Sequence, residues 1–245
     1  MTALRERIRS GELLLGTFLD LGSAEAAQIA GAAGVDWLVI DLEHGAGGRA
    51  ATQAQLQAAG VPAIVRVPSA ASEQIGWSLD FGAAGLVVPR VHGPEEAAQA
   101  EAATRYSAGR GVHAAVPSAR FGLDPDFAER SDRELVLMIQ IETRGALAAV
   151  DEIAAVEGVD VLFVGPYDLG NALGVTPGPE TPEVLRAAER TATAAREAGK
   201  AAAVFLGDPS LARRYRDLGF TLLASGSTGG MLAAAVAGRI SALRA

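Results

Sequence analysis

The sequence predicts a (β/α)8 TIM barrel, and three observations support this fold class. Short apolar runs alternate with alanine-rich stretches along the chain. Eight such runs are present, one for each strand of a barrel. The chain has 245 residues, close to the roughly 250 that this fold usually contains. We therefore expect residues 1–245 to form a single (β/α)8 domain.

The predicted strands share one pattern. Most of them are continuously apolar instead of alternating, which is typical of parallel strands covered on both faces. The predicted strands are 14–19, 36–41, 61–67, 85–89, 135–141, 160–164, 202–206 and 221–225.

Helix-like segments lie between these strands. The first predicted helix opens with Ser23, a favoured N-cap residue, and the last is followed by Gly199, a favoured C-cap residue. The predicted helices are 23–33, 94–104, 145–156 and 182–198. An open, doubly wound sheet is the competing layout, but no G-x-G-x-x-G follows the first strand, which disfavours a dinucleotide-binding domain. The long excursion 90–134 is rich in Gly, Pro and Arg, and such a segment is usually functional.

The composition argues against several classes of function. The net charge is −8, and no Lys/Arg cluster indicates a nucleic-acid partner. The absence of cysteine excludes disulfides, thiolate metal sites and a cysteine nucleophile, and it fits a cytoplasmic protein. The first residues, MTALRERIRSGE, lack the apolar core of a signal peptide. No uninterrupted apolar run of about 18 residues occurs, so no membrane partner is expected.

Polar residues follow several of the predicted strands. In a barrel the C-terminal ends of all strands meet on one face, where catalytic residues lie. These ends carry Asp41, Glu43 and His44 (strand two), Arg66 (strand three), Gln140 and Glu142 (strand five) and Asp168 (strand six).

Each of these residues also has a purely structural interpretation. Gln140 and Glu142 are two positions apart and share a face, but a strand end can simply turn polar. Asp168 follows a Gly-Pro turn and could be a helix N-cap. Arg66 lies in an apolar run and could form a structural ion pair with Asp41, because a buried charge seldom lacks a partner.

The same residue types fit one kind of chemistry. Glu142 and Asp168, on neighbouring strands, suit a hard cation such as Mg²⁺ or Mn²⁺. The three histidines are too scattered for a usual zinc site. Arg66 can bind a carboxylate or an oxyanion, and His44 beside Asp41 can act as a general base or be a solvated loop histidine. Together these groups could form an enolate from a 2-oxo acid.

Several motifs resemble those of the HpcH/HpaI aldolases, which are class II, metal-dependent pyruvate aldolases. The resemblance extends from about Gly16 to Leu232, and the motifs come in the family's order. It implies a (β/α)8 barrel and a carbon–carbon lyase that makes or cleaves 4-hydroxy-2-oxo acids through a pyruvate enolate and an aldehyde. The motifs are DWLVIDLEHG, VPAIVRVP, LDFGAAGLVVPRV, RYSAGRGV, MIQIET and VEGVDVLFVGPYDLGNALG.

The resemblance also implies roles for individual residues. Glu142 and Asp168 would be ligands of Mg²⁺, Mn²⁺ or Co²⁺. Arg66 would stabilise the enolate, and His44, helped by Asp41, would move the proton. The 2-oxo acid pocket would be lined by Gln140, Gly165, Pro166 and Tyr167 together with Arg66.

The family resemblance further implies a homo-oligomer. In the family the last helix is commonly exchanged between subunits, and hexamers built as trimers of dimers are usual. The alanine-rich segment 229–243 is apolar enough to pack on a neighbour.

The chain departs from the family pattern at three positions. Tyr167 stands where alanine is common, Gly170 where serine is usual, and Thr228 where an aspartate often follows the last strand. These departures bear on the identity of the substrate more than on enolate formation.

Two alternatives remain at this point, and a third, a class I aldolase, is disfavoured. One is a citrate-lyase-β-like enzyme acting on CoA esters, and another is a non-catalytic barrel that serves as a binding subunit. A class I aldolase would need a Schiff-base lysine. Lys200 is the only lysine, and it precedes strand 202–206, at the end of the barrel opposite the catalytic face.

Overall fold

Eight parallel strands close into a barrel in which each strand pairs with its neighbours in chain order and β1 pairs with β8. The computed structural model describes residues 3–71 and 73–245. The (β/α)8 fold class predicted from the sequence is confirmed. The strands are β1 (Leu14–Leu19), β2 (Trp37–Asp41), β3 (Ala63–Arg66), β4 (Gly85–Val88), β5 (Val136–Ile141), β6 (Val161–Val164), β7 (Ala201–Leu206) and β8 (Leu222–Ser227).

Helices follow the strands and cover the outside of the barrel. An apolar layer between strands and helices forms one of two large clusters of buried residues. The helices are α1 (Leu4–Arg9), α2 (Ala24–Ala32), α3 (Arg49–Ala58), α4 (Gln74–Asp80), α5 (Pro94–Thr104), α6 (Phe127–Glu134), α7 (Arg144–Ala148), α8 (Val150–Ala155), α9 (Pro166–Leu173), α10 (Pro182–Glu197), α11 (Ala212–Asp217) and α12 (Thr228–Arg244), with short 3₁₀ helices at Pro117–Gly122 and Pro209–Leu211.

Two predicted segments differ in detail from the structure. The predicted helix 145–156 is two helices, because Ala149 leaves the helical region with φ −103° and ψ 27° between α7 and α8. The excursion 90–134 is partly regular, since it contains α5, a 3₁₀ helix and α6. Its longest part without helix or strand is 105–116.

The second cluster of buried residues fills the barrel lumen. Alternate residues of each strand point inward, which is the period-two pattern of a β-strand. Trp37 is fully buried in this lumen, and its register partner is Gly16. A Cβ at Gly16 would lie 2.6 Å from the indole Cε2, so only glycine leaves room for the ring at this point.

The N-terminal segment forms a helix that the sequence analysis did not predict. Leu4 and Ile8 of α1, four residues apart on one helix face, join the lumen cluster and close its lower end. Arg5 on the same helix donates from Nε to Asp160 Oδ1 at 2.8 Å. Although most of its residues are charged, this segment therefore forms an amphipathic helix that packs against the barrel.

Helix α12 covers little of the barrel. None of its residues is buried, although it carries several large apolar side chains. On the neighbouring surface, Leu15 of β1 is 49% exposed and Ile29 of α2 is 70% exposed. The helical layer is thus incomplete beside β1 and β8. Within the described part of the chain, no helix has the length and apolar character needed to cross a membrane.

Candidate active site

The C-terminal ends of the strands surround a cavity of about 230 Å³. This is the end of a barrel at which active sites are found. Every residue predicted for the site lines the cavity except Glu142, which contacts the lining through Gln140. The lining consists of Phe18, Asp20, Asp41, His44, Arg66, Gln140, Phe163, Gly165, Pro166, Tyr167, Asp168, Phe205 and Ser227.

Arg66 and Asp41 form a buried, two-pronged ion pair. They are register partners on β3 and β2, and both point into the lumen. Arg66 donates from Nε to Asp41 Oδ1 at 2.9 Å and from Nη2 to Asp41 Oδ2 at 2.7 Å. The guanidinium also lies 4.9 Å from the centre of the Phe18 ring. These contacts fix the plane of the guanidinium, which faces the cavity.

Asp41 contacts Arg66 rather than the side chain of His44. Its Oδ1 also accepts the backbone N–H groups of Glu43 at 3.0 Å and His44 at 3.3 Å. The imidazole of His44 is 65% exposed, and its Nε2 lies 3.9 Å from Glu43 Oε1. The carboxylate next to the imidazole is therefore that of Glu43, and Asp41 organises the loop backbone and Arg66.

Glu43 lies at the centre of a cluster of positive groups. Its side chain is nearly buried, with Oε2 3.3 Å from Arg66 Nη1 and Oε1 3.1 Å from Arg90 Nε. Burial raises the pKa of Glu43, against the attraction of Arg66, His44 and Arg90. The sequence alone left the role of this residue open, and the structure places it as the link between His44 and the two arginines.

Gln140 near the end of β5 and Glu142 directly after it lie on the same side of the chain, as their spacing predicted. The Gln140 Nε2 donates to Glu142 Oε2, and both side chains are buried. Gly165 on the adjacent β6 side leaves room for them, because a Cβ there would lie 2.6 Å from Glu142 Oε2 and 2.7 Å from Gln140 Nε2. The Oε1 of Gln140 is buried without a hydrogen-bond partner. These groups form a cradle of oxygen atoms beneath the cavity.

Arg90 holds Glu142 through a strained backbone. It follows β4 and adopts a φ of 54°, in the left-handed region that few residues other than glycine occupy. In this conformation its N–H donates to Glu142 Oε1 at 2.7 Å, and its Nη2 donates to the carbonyl oxygen of Pro68 at 2.9 Å. Strain of this kind is found where a site requires a fixed geometry. Arg90 therefore joins the Glu142 carboxylate to Glu43.

The carboxylates of Glu142 and Asp168 fit a divalent cation. Asp168 lies in the first turn of α9, which follows β6, the neighbour of β5, and it lines the cavity. Burial raises the pKa of Glu142 to about 7, and the nearby carboxylates of Glu43 and Asp168 contribute to this rise. A cation between Glu142 and Asp168 would offset this repulsion, and carboxylate oxygens are ligands that Mg²⁺ and Mn²⁺ prefer. Among residues 3–71 and 73–245 no group of three or more His, Cys, Asp or Glu side chains is arranged to hold a metal, so the remaining ligands would be substrate and water.

Aromatic rings form one wall of the cavity. Phe18 contacts Phe163 and Phe205, with ring centroids 6.1 Å and 5.3 Å apart. Tyr167 extends this wall, 6.2 Å from the Phe205 ring, and its hydroxyl lies close to Gly207. Tyr167, which departs from the family's alanine, thus lines the cavity.

Asp20, at the end of β1, is a lining residue that the sequence analysis missed. Its Oδ1 accepts from Thr228 Oγ1 at 2.8 Å and from the backbone N–H of Gly229 at 2.7 Å. Burial acts to raise the pKa of Asp20, but hydrogen bonds from Ser227, Gly229 and Thr228 lower it below its usual value. Thr228 stands where the family often has an aspartate after the last strand. In this chain a carboxylate is still present beside that position, but Asp20 at the end of β1 supplies it.

Collecting the residues after every predicted strand would have found both Asp20 and Arg90. Asp20 directly follows the first predicted strand, and Arg90 follows the fourth. The three phenylalanines gave no such indication, because an aromatic residue inside an apolar run is ordinary core composition.

Lys200 lies far from this site. It precedes β7, and its Nζ donates to the carbonyl oxygen of Val156. It lines a separate cavity of about 680 Å³ at the opposite, N-terminal end of the barrel, together with Arg196 and Asp160. The position confirms the expectation that the only lysine is remote from the cavity at the C-terminal face.

Known proteins match the chain over nearly its whole length. Residues 14–235 match the family model described as HpcH/HpaI aldolase/citrate lyase. A hydroxypyruvate/pyruvate aldolase from Paraburkholderia phytofirmans is 38% identical over 232 residues, which cover 90% of this chain and 89% of the relative. A 4-hydroxy-2-oxo-heptane-1,7-dioate aldolase from Shigella sonnei is 38% identical, covering 95% of this chain and 91% of the relative.

A solved structure agrees with the sequence comparisons. The crystal structure of an HpcH/HpaI aldolase/citrate lyase family protein from Burkholderia cenocepacia superposes with a TM-score of 0.92. It shares 35% identity and covers 99% of both chains.

Proposed function

Because this chain belongs to the HpcH/HpaI aldolase/citrate lyase family and is an aldolase, a carbon–carbon lyase, we propose that it makes and cleaves 4-hydroxy-2-oxo acids through a pyruvate enolate. One observation carries the proposal: the fixed Arg66 guanidinium and the Asp168 carboxylate line the same 230 Å³ cavity, and Glu142 lies directly behind its lining residue Gln140. The test is a retro-aldol screen of several 4-hydroxy-2-oxo acids, with pyruvate release as the readout. No pyruvate from any of them would contradict the proposal.

Glu142 and Asp168 would hold a divalent cation, for which Mg²⁺, Mn²⁺ and Co²⁺ are the candidates. When bound, such a cation acts as a Lewis acid that polarises the ketone of the 2-oxo acid and offsets the charge of the enolate. Gln140 and Arg90 hold the Glu142 carboxylate by hydrogen bonds to its two oxygens. Gly165 and Pro166 bring the backbone at the start of α9 next to the proposed cation position.

Arg66 retains hydrogen-bond donors for the substrate. A guanidinium has five N–H groups. Two of them are donated to Asp41, and a third points toward Glu43 at 3.3 Å. One N–H on each terminal nitrogen is left for an oxygen in the cavity. Donors fixed in place before the reaction stabilise a developing oxyanion without reorganisation.

Proton transfer is assigned to His44. In the cleavage direction a base removes the proton of the C4 hydroxyl, the C3–C4 bond breaks, and its electrons form the enolate as the aldehyde leaves. The enolate then takes a proton at C3 to give pyruvate. The His44 imidazole is exposed at the cavity edge, with its Nε2 3.9 Å from Glu43 Oε1, and it can take up and return this proton.

His44→Ala should slow the exchange of pyruvate methyl protons with solvent by roughly 10²–10⁴-fold, the usual contribution of a general base. Exchange can be followed by NMR in D₂O. His113→Ala is the matched control, because His113 is exposed in the 105–116 segment and does not line the cavity. Unchanged exchange in a folded His44→Ala enzyme would remove this residue from the mechanism.

We also propose that the enzyme is a homo-oligomer in which α12 packs on a neighbouring copy. The exposed apolar residues of α12 include Leu232 and Val236, and the adjacent barrel surface exposes Leu15 and Ile29. Each copy thus exposes the apolar side chains of α12. It also exposes an apolar patch on the barrel that no helix covers. Reciprocal exchange would bury both, and a two-fold pair of this kind is the unit from which a hexamer is built as a trimer of dimers.

Val236→Glu should reduce the molar mass measured by light scattering, because it buries a charge in the proposed contact. Leu123→Glu is the control, since Leu123 is also an exposed apolar residue and lies outside α12. A wild-type protein that is monomeric at micromolar concentration would contradict the oligomer proposal and leave the aldolase assignment intact.

A further inference from the structure

The two halves of the cavity differ in chemistry. In a closed ring of eight strands, β5 lies opposite β1. The Glu142 and Asp168 carboxylates follow β5 and β6, which places the 2-oxo acid on that side. Asp20, after β1, lies on the opposite side, and Phe205 of β7 and Ser227 of β8 line the part of the ring between β6 and β1. This second half is the space that remains for the aldehyde.

The aldehyde half contains a fixed negative charge. Asp20 is held at the N-terminus of α12 by Thr228 Oγ1 and the Gly229 N–H. Within residues 3–71 and 73–245 no arginine, lysine or histidine forms an ion pair with it. Gly229 is required for this approach, because a Cβ there would lie 2.9 Å from Asp20 Oδ2. The carboxylate therefore keeps both its position and its charge.

Positive charge is scarce in the cavity. Arg66 is the only arginine or lysine among the described lining residues, and it is already bound by Asp41 and approached by Glu43. Among the described lining residues, no second arginine or lysine is thus present on the aldehyde side to bind a further carboxylate. The remaining surface there is aromatic, with the Phe205 ring in contact with both Phe18 and Tyr167. An uncharged carbon chain can pack on these rings.

We infer that the acceptor of this aldolase is an uncharged aldehyde and that Asp20 is the residue that excludes aldehydes bearing a carboxylate. The inference rests on the proposed function of the same cavity. Like charges brought together in a desolvated site oppose binding strongly, which is how a site rejects one of two otherwise similar ligands. Asp20 acts on specificity and takes no part in bond making.

The test compares two aldehydes of equal chain length in the addition of pyruvate, butanal and 4-oxobutanoate. The wild-type enzyme should favour butanal in kcat/KM by at least about tenfold. Asp20→Asn should lower this preference by about tenfold, since it removes the charge and keeps an oxygen that accepts from Thr228 and Gly229. Asp20→Ser supplies a second neutral variant if the asparagine enzyme does not fold.

Asp208→Asn is the matched control. Asp208 follows β7 at the same end of the barrel, it caps a 3₁₀ helix through Ser210 N, and it does not line the cavity. This variant changes the net charge by the same amount and should leave the preference unaltered. A wild-type preference for 4-oxobutanoate, or an unchanged preference in both Asp20 variants, would overturn the inference. No pyruvate consumption with either aldehyde would instead overturn the proposed function.

Discussion

Glu142→Ala should abolish aldolase turnover and weaken divalent-cation binding by more than roughly 100-fold, since loss of even an outer-shell partner typically costs 10–100-fold in metal affinity. The physical reason is the environment of this carboxylate. It is buried, it accepts from Arg90 N–H at 2.7 Å and from Gln140 Nε2, and its neighbours Glu43 and Asp168 repel it. A cation would offset this repulsion. An enzyme that no longer binds the cation would leave the ketone of the substrate unpolarised.

Two measurements separate binding from turnover. Calorimetric titration of EDTA-treated enzyme with Mn²⁺ reports cation affinity directly, and pyruvate release reports activity. EDTA should remove the activity while circular dichroism shows an intact barrel, and Mg²⁺, Mn²⁺ or Co²⁺ should restore it. Glu129→Ala, at an exposed position of α6, is the control for the loss of a glutamate. Full activity in rigorously metal-free enzyme would refute the class II assignment.

The sequence predicted the barrel well because each strand is marked by its own apolar run, which is a local feature of the chain. Each predicted strand lies within two residues of the observed one at both ends, and continuous apolar runs are a direct consequence of burial on both faces. The pairing of Gln140 with Glu142 followed from strand periodicity alone. Helix α1 was missed because the charged residues of its exposed face outnumber Leu4 and Ile8, which pack into the lumen.

The partners within the site were harder to predict because they depend on contacts between strands. The sequence offered Asp41 two partners, His44 along the chain and Arg66 on the next strand, and the structure forms the ion pair with Arg66. The left-handed backbone of Arg90 could not be predicted from the residue type, since arginine seldom adopts that conformation. Strand spacing thus indicates which residues reach the mouth, and the three-dimensional register decides which of them meet.

Arg66→Lys should lower kcat by roughly 10²–10³-fold, the usual cost of removing an oxyanion donor, while the barrel stays folded. Lysine keeps the charge, but its single ammonium nitrogen cannot bond both Asp41 oxygens and also present an N–H from each of two terminal nitrogens to the substrate. The structure gives both contacts to Asp41, at 2.9 Å and 2.7 Å, so the substitution removes the element that fixes the donor in place. Steady-state kinetics and thermal unfolding, measured on one preparation, test this.

Arg110→Lys provides the matched control, because Arg110 has the same kind of environment outside the cavity. Its guanidinium pairs with Asp80 at 2.6 Å and lies 4.3 Å from the centre of the Tyr106 ring, as that of Arg66 pairs with Asp41 over Phe18. If Arg66 were only a structural partner of Asp41, both variants would lose thermal stability and keep their turnover. If Arg66 holds the enolate oxygen, only its own variant loses turnover, and Asp41→Asn should follow it in part because the guanidinium then loses its fixed plane.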